Sequence, residues 1–154
     1  MGAERIIAMS RHASRQKLAR EFGATDIVAE RGEEGVALIK ELTKGVGADS
    51  VLECVGTGES FDQALASSRP GGTIGYVGVP HGVNFDGQKL FFGQKRMLGG
   101  PAPVRRFLPD LMDRVLQGRI KPGKVFDLKL PLAEVAEGYR AMDERRAIKV
   151  MLSV

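Results

Sequence analysis

The stretch from Arg5 to Arg20, RIIAMSRHASRQKLAR, constrains the fold of this chain more than any other. It opens with a short apolar run, Arg5 to Met9, that favours a buried strand. Polar residues follow at once, and the next stretch places Leu18, Ala19 and Phe22 on one face of a helix. A strand that leads directly into an amphipathic helix is typical of a βα unit, whose strand pairs in parallel with its neighbours.

The same alternation continues to the end of the chain. Further strands are predicted at residues 26–29, 49–56, 73–79, 95–100 and 147–152. Amphipathic helices are predicted between them at residues 33–44, 59–68, 104–117 and 132–142, with a turn at 69–72 and a polar loop at 80–89. Strands that alternate with helices of about ten to fifteen residues predict an α/β fold, a parallel sheet with helices on both faces.

The end of the first strand indicates which ligand such a sheet would bind. In dinucleotide-binding folds the second strand ends in an acid that binds the ribose hydroxyls of NAD. Here Ser10 and Arg11 stand in its place. A carboxylate repels a phosphate, whereas a hydroxyl and a guanidinium hold one, so this strand end favours NADP. The alternative is a solvated, arginine-rich helix start without a ligand.

The glycine-rich turn that cradles the pyrophosphate in these folds is missing. Gly71 and Gly72 precede a strand, whereas that turn follows one. We therefore expect a Rossmann-like sheet that lacks the first strand and its glycine-rich turn and starts at the second strand.

Composition and charge restrict the partners. The chain of 154 residues is 43% apolar, which suits one domain or a large part of one. No apolar run approaches the ~20 residues that span a bilayer, no signal peptide is visible, and there is one cysteine, so we expect a cytoplasmic protein without a membrane partner. The net charge of +4 is spread over several helices with few aromatics between, so we expect no nucleic-acid partner. Cys54 lies in an apolar strand, which predicts a buried, structural thiol.

Several motifs together resemble the medium-chain, zinc-dependent alcohol dehydrogenases. They occur in the order and spacing of that family: SRHASRQKLAREFGATDIV, ECVG, RPGG followed by VGVP, MLGGPAPVRRFLPDL and AIKVML. The resemblance covers the later part of the cofactor domain and the tail that returns beneath it, so it implies that residues 1–154 are a partial NAD(P)-binding domain. The implied parent reaction is hydride transfer between an alcohol and NADP, with NAD as a second possibility. The fragment alone is expected to bind the adenosine end weakly and to catalyse nothing.

The resemblance also implies roles for individual positions. Ser10 and Arg11 match the residues that hold the 2′-phosphate in NADP-using members, and His12 and Arg15 are close enough to help. The other cofactor-binding positions lie near the ends of later strands: Val55, Gly56, Val77, Gly78, Val79, Leu98 and Lys149. The first two match the strand end that passes the adenosine ribose, and the next three match the strand end that meets the nicotinamide carboxamide. Leu98 matches a residue beside the nicotinamide ring, and Lys149 stands where many members place an arginine near the pyrophosphate. The alternatives are core packing for the valines and Leu98 and a solvated charge for Lys149.

Zinc is implied for the parent enzyme, but this sequence offers no ligand set for it. A catalytic zinc needs three protein ligands and an open position. His12, Cys54 and His81 lie in three separate segments without ligand spacing. We therefore name no catalytic residue and no metal ligand, and we expect the zinc in an amino-terminal part outside this sequence. Two alternatives stay open: a zinc-free quinone or enoyl reductase of the same superfamily, and a non-catalytic nucleotide-binding or dimerisation module.

The missing first strand predicts self-association. In the strand order 3-2-1-4-5-6 the first strand lies in the middle, so its loss leaves the second and fourth strands with unpaired edges. Unpaired edges recruit other strands, which predicts a homodimer or a strand-exchanged oligomer. The resemblance adds a second reason, since in that family the strand that matches Lys95 to Gly100 pairs with its copy across a two-fold axis.

Overall fold

The computed structural model describes residues 2–154. The chain divides into two compact units, one up to Ala102 and one from Pro103 to Val154. The prediction that residues 1–154 make one partial cofactor domain stays a prediction. Within the described range every helix is too short or too polar to cross a membrane.

The first unit alternates strands and helices as predicted. Its elements are β1 (Ile7–Met9), α1 (Ala13–Glu21), β2 (Asp26–Val28), α2 (Gly32–Leu42), β3 (Ala48–Glu53), α3 (Gly58–Ser67), β4 (Ser68–Tyr76), α4 (Gly87–Phe92) and β5 (Arg96–Gly99). Strand β1 pairs with β2, and β3, β4 and β5 form a second sheet in that order. These pairings are parallel. The parallel α/β class is confirmed, and β1 and β3 belong to different sheets.

The core of the first unit lies between α3 and the central strand β4. Phe61, Leu65 and Ile74 are at most 2% exposed, which confirms the buried face predicted for this helix. Burial of each such side chain contributes about 1.5–3 kcal/mol. The helix begins at a capping box, in which Thr57 accepts a hydrogen bond from the Ser60 N–H and the Ser60 hydroxyl accepts one from the Thr57 N–H.

Several elements of this unit differ from the prediction. Strand β3 ends at Glu53 rather than at residue 56, and β4 ends at Tyr76 rather than at residue 79. Strand β4 begins at Ser68 rather than at residue 73, and the predicted turn at 69–72 is part of the strand. The register shifts there, since Ser68 pairs with Ala48 and Thr73 pairs with Ser50. Proline and glycine thus occupy a bulge, where a strand tolerates them. The predicted loop at 80–89 contains the start of α4, which Asp86 caps by accepting hydrogen bonds from two N–H groups of the first turn.

The second unit is smaller. It contains α5 (Val104–Leu116), a 3-10 turn (Pro122–Val125), β6 (Leu128–Pro131), a 3-10 turn (Leu132–Glu134), α6 (Val135–Asp143) and β7 (Val150–Ser153). Strands β6 and β7 are parallel. The sequence pattern did not indicate β6, because its four residues, Leu-Lys-Leu-Pro, are too few for a clear alternation and end in a proline. Strand β7 starts at Val150 rather than at residue 147.

Candidate functional site

Ser10 lies directly after β1 and is held by hydrogen bonds on three sides. Its N–H donates to the carbonyl oxygen of Val28 on the neighbouring strand (3.1 Å). Its carbonyl accepts from Gln16 Nε2 (2.6 Å), and its hydroxyl oxygen accepts from the His12 N–H (3.3 Å). The turn between β1 and α1 is thereby fixed to both the sheet and the helix.

The start of α1 is electropositive. His12 is its N-cap residue, in extended backbone, and the first turn contains no acidic residue. Arg11 and Arg15 are exposed beside it. The N–H groups of a first helical turn carry a partial positive charge, and the two guanidinium groups add to it. This arrangement suits an anion such as a phosphate.

Glu53 organises the turn after β3. It is only 3% exposed. Its Oε1 accepts hydrogen bonds from the N–H groups of Val55 (2.7 Å) and Gly56 (3.0 Å) and from the Ser60 hydroxyl (2.8 Å). Glu53 was not among the predicted site residues. Its signal is a glutamate at the end of an apolar strand, followed by a glycine and then by a serine in the first turn of the next helix.

The turns after β3 and β4 meet through their backbones. Gly56 has φ +88°, and a Cβ there would lie 2.8 Å from the carbonyl oxygen of Val79. A Cβ on Gly78 would lie 2.7 Å from the Gly56 nitrogen. The Val77 N–H donates to the Glu53 carbonyl (3.0 Å). Glycine at both positions therefore brings together two of the predicted groups of site residues, 55–56 and 77–79.

The apolar side chains at these strand ends face solvent. The exposed fractions are 65% for Val55, 68% for Val77, 68% for Val79 and 65% for Leu98. Core packing, the alternative considered for them, does not describe these side chains in this structure. They present an apolar surface that a ligand or a further chain segment can cover.

Lys149 belongs to the second unit, directly before β7, and it is exposed. Asp127 fixes its backbone: the carboxylate accepts from the N–H groups of Ile148 (2.8 Å) and Lys149 (3.2 Å), and the Asp127 N–H donates to the Lys149 carbonyl (3.2 Å). Asp127, which was not among the predicted residues, thus orders the backbone at Lys149. Lys149 also borders a shallow, largely apolar groove over α6 and β7.

The predicted burial of Cys54 is wrong. The residue is exposed, because β3 ends at Glu53 and Cys54 lies in the turn that follows. Partial burial of the thiol and the neighbouring Glu53 carboxylate raise its pKa. A protonated thiol is a poor metal ligand and a poor nucleophile. Residues 2–154 contain no group of three or more His, Cys, Asp or Glu side chains that could hold a metal ion, so a zinc site does not fit this part of the chain.

Comparison with known proteins identifies the family to which the chain is similar. Residues 1–116 match the zinc-binding dehydrogenase family. Zinc-type alcohol dehydrogenase B of Aspergillus flavus is 33% identical over 148 residues, which cover 95% of this chain and 35% of that protein.

Two solved structures show the same fold. Alcohol dehydrogenase TADH from Thermus sp. ATN1 has a TM-score of 0.90 at 32% identity and covers 99% of this chain, which spans 46% of that one. An NAD-dependent alcohol dehydrogenase has a TM-score of 0.84 at 30% identity, over 97% of this chain and 44% of that one. The chain thus spans less than half the length of each of these relatives. The match over most of its length confirms the resemblance seen in the sequence, and the chain belongs to the zinc-dependent, medium-chain alcohol dehydrogenase family.

Proposed function

We propose that this chain is the carboxyl-terminal, cofactor-binding portion of an NADP-preferring alcohol dehydrogenase. The parent enzyme transfers a hydride between an alcohol and NADP. The alcohol dehydrogenases to which the chain is similar, one of them NAD-dependent, support a nicotinamide dinucleotide as the ligand. A parent enzyme that supplies the glycine-rich turn and the zinc ligands from residues outside this sequence accounts for both missing features. The chain alone is then catalytically inactive.

The preference for NADP depends on the strand end at Ser10 and Arg11. The absence of an acid there, the exposed guanidinium of Arg11 and the acid-free start of α1 all favour an additional phosphate. A 2′-phosphate would accept hydrogen bonds from the Ser10 hydroxyl and from Arg11, with His12 and Arg15 nearby. NADH has no phosphate at this position, so it would leave these donors to water.

The other roles are parts of the same proposal. Val55 and Gly56 pass the adenosine ribose, Val77 to Val79 meet the nicotinamide carboxamide, and Leu98 lies beside the nicotinamide ring. The exposure of the valines and of Leu98 supports a surface that a ligand covers. The role implied for Lys149, near the pyrophosphate, stays a proposal without further support. A cytoplasmic location is supported by the single cysteine.

Calorimetric titration of the purified chain with NADPH and with NADH tests the proposed preference for NADP. We expect NADPH to bind more tightly by about 1–3 kcal/mol, or about 5- to 150-fold, because its phosphate makes one or two charge-assisted hydrogen bonds. Arg11→Ala should remove most of this preference. Arg20→Ala deletes the same charge at the far end of α1 and serves as the matched control.

Each outcome of that titration has a definite meaning. Equal affinities for the two dinucleotides would overturn the assignment of Ser10 and Arg11. The absence of binding to either dinucleotide would contradict the cofactor site as a whole.

Self-association is a further part of the proposal. Strands β1 and β3 lie in different sheets, and β3 and β5 are the two edges of the three-stranded sheet. On the edge strand β3 the side chain of Leu52 is 78% exposed. Free edges with apolar side chains favour pairing with a second copy.

A further inference from the structure

Glu53 is a charged side chain in an unusual position. It is 3% exposed, and burying a carboxylate is costly unless its oxygens accept hydrogen bonds. In the described part of the chain its partners are two main-chain N–H groups and a hydroxyl, and all three donate to the same oxygen, Oε1. Oε2 receives only a second, longer contact from the Gly56 N–H (3.2 Å).

The carboxylate contacts the helix that follows through the Ser60 hydroxyl, which donates to its Oε1. Thr57 and Ser60 form the capping box of α3, in which the N–H group of each residue donates to the side chain of the other and not to Glu53. The N–H groups of Val55 and Gly56 precede the helix, and Glu53 is the acceptor for both of them. The carboxylate therefore acts on the turn between β3 and α3.

That turn also sets the position of the neighbouring strand end. Gly56 is packed against the backbone of Gly78 and Val79, close enough that no Cβ would fit. The carbonyl oxygen of Glu53 accepts a hydrogen bond from the Val77 N–H. Through its side chain and its backbone, Glu53 is bonded to two of the strand ends that the proposed function assigns to the cofactor, those of β3 and β4.

We infer that Glu53 is a positioning residue for dinucleotide binding, which holds the turn at Val55 and Gly56, and through it the end of β4, in the conformation that the cofactor meets. This inference rests on the proposed function. It assigns no contact between Glu53 and the cofactor, since the side chain is buried.

A matched pair of substitutions in the full chain tests the inference. Glu53→Gln keeps an oxygen that can take the place of Oε1, whereas Glu53→Met has a similar size and no strong acceptor. We expect Glu53→Met to lower the affinity for NADPH and for NADH about fivefold or more, because the N–H groups of Val55 and Gly56 lose their acceptor. The ratio of the two affinities should stay unchanged. Glu53→Gln should bind within about twofold of the wild type.

Amide hydrogen exchange provides a readout that does not depend on binding. In Glu53→Met the amides of Val55 and Gly56 should exchange faster, and in Glu53→Gln they should stay protected. Thr57→Ala removes the cap of the same helix and should lower the free energy of unfolding. It should change neither dinucleotide affinity nor the exchange of the Val55 and Gly56 amides.

The outcomes separate the two proposals. If the wild type binds NADPH and Glu53→Met binds it equally well, the inference is overturned and the proposed function stands. A Glu53→Met chain that does not fold overturns it too, because the acceptor would then serve the fold rather than the site. A wild-type chain that binds neither dinucleotide overturns both.

Discussion

At the ends of β3 and β4, glycines and a carboxylate have complementary tasks. Gly56 and Gly78 allow two backbone segments to approach so closely that a Cβ on either glycine would collide with the backbone of the other segment. Glycine also makes the turn more mobile, because it restricts φ and ψ least. The carboxylate of Glu53 restricts that mobility, because it accepts hydrogen bonds from the N–H groups of Val55 and Gly56, which have no partner in a strand. One residue therefore gives order to a turn that its neighbours leave flexible.

The thiol of Cys54 should react slowly although it is exposed. Its raised pKa, caused by partial burial and by the Glu53 carboxylate, keeps it protonated at neutral pH. Only the thiolate is alkylated, so the rate of reaction with iodoacetamide should increase with a midpoint at a higher pH than for a free cysteine peptide in the same buffer. Glu53→Gln removes the neighbouring charge and should move the midpoint down. A wild-type midpoint at or below that of the peptide would contradict this prediction.

At the scale of the elements, features that depend on a local sequence pattern could be predicted, whereas features that depend on the pairing of distant strands could not. An amphipathic helix was predicted at residues 59–68, where α3 lies, because the spacing of apolar residues such as Phe61 and Leu65 is a local signal. Ser10 and Arg11 were placed at a strand end for the same reason, and the structure has them directly after β1. The contact of Gly56 with Val79 could not be predicted, because it depends on the register of β3 with β4. Strand β6 was not predicted for a similar reason, since its pairing partner β7 follows only after α6.

The register of β4 with β5 leads to a stability prediction at Gly99. This residue pairs with Tyr76, and a Cβ on Gly99 would lie 2.2–2.4 Å from atoms of the tyrosine ring. The ring cannot easily retreat, because it packs edge-on against the buried Phe61 at 5.5 Å. Gly99→Ala should therefore lower the free energy of unfolding by about 1–3 kcal/mol, measured by urea denaturation. Gly58→Ala adds the same methyl group at an open position of α3 and should be neutral or slightly stabilising. Equal stability of the Gly99→Ala chain and the wild type would show that the ring yields.

At the scale of the whole molecule, large apolar side chains are exposed in both units. Leu52, Phe91 and Phe92 are 77–79% exposed in the first unit, and Leu116 is 78% exposed in the second. Helix α5, to which Leu116 belongs, contains no buried residue. Exposed side chains of this size and polarity are available for contact with another chain or segment. Because of these side chains and the free strand edges, we expect the chain to self-associate in water.

Sedimentation velocity at micromolar concentration measures that consequence directly. We expect a dimer or a larger oligomer, because pairing at the edge of β3 or β5 satisfies main-chain groups and covers apolar side chains at the same time. Leu52→Lys places a charge on β3, and Leu98→Lys places one on β5, so the variant that shifts the chain toward the monomer identifies the edge that pairs. Ala66→Lys adds the same charge at an exposed position of α3 and should leave the oligomer unchanged. A single sharp monomer boundary for the wild type would refute self-association, and the exposed strand ends would then have to be covered by the dinucleotide or remain in water.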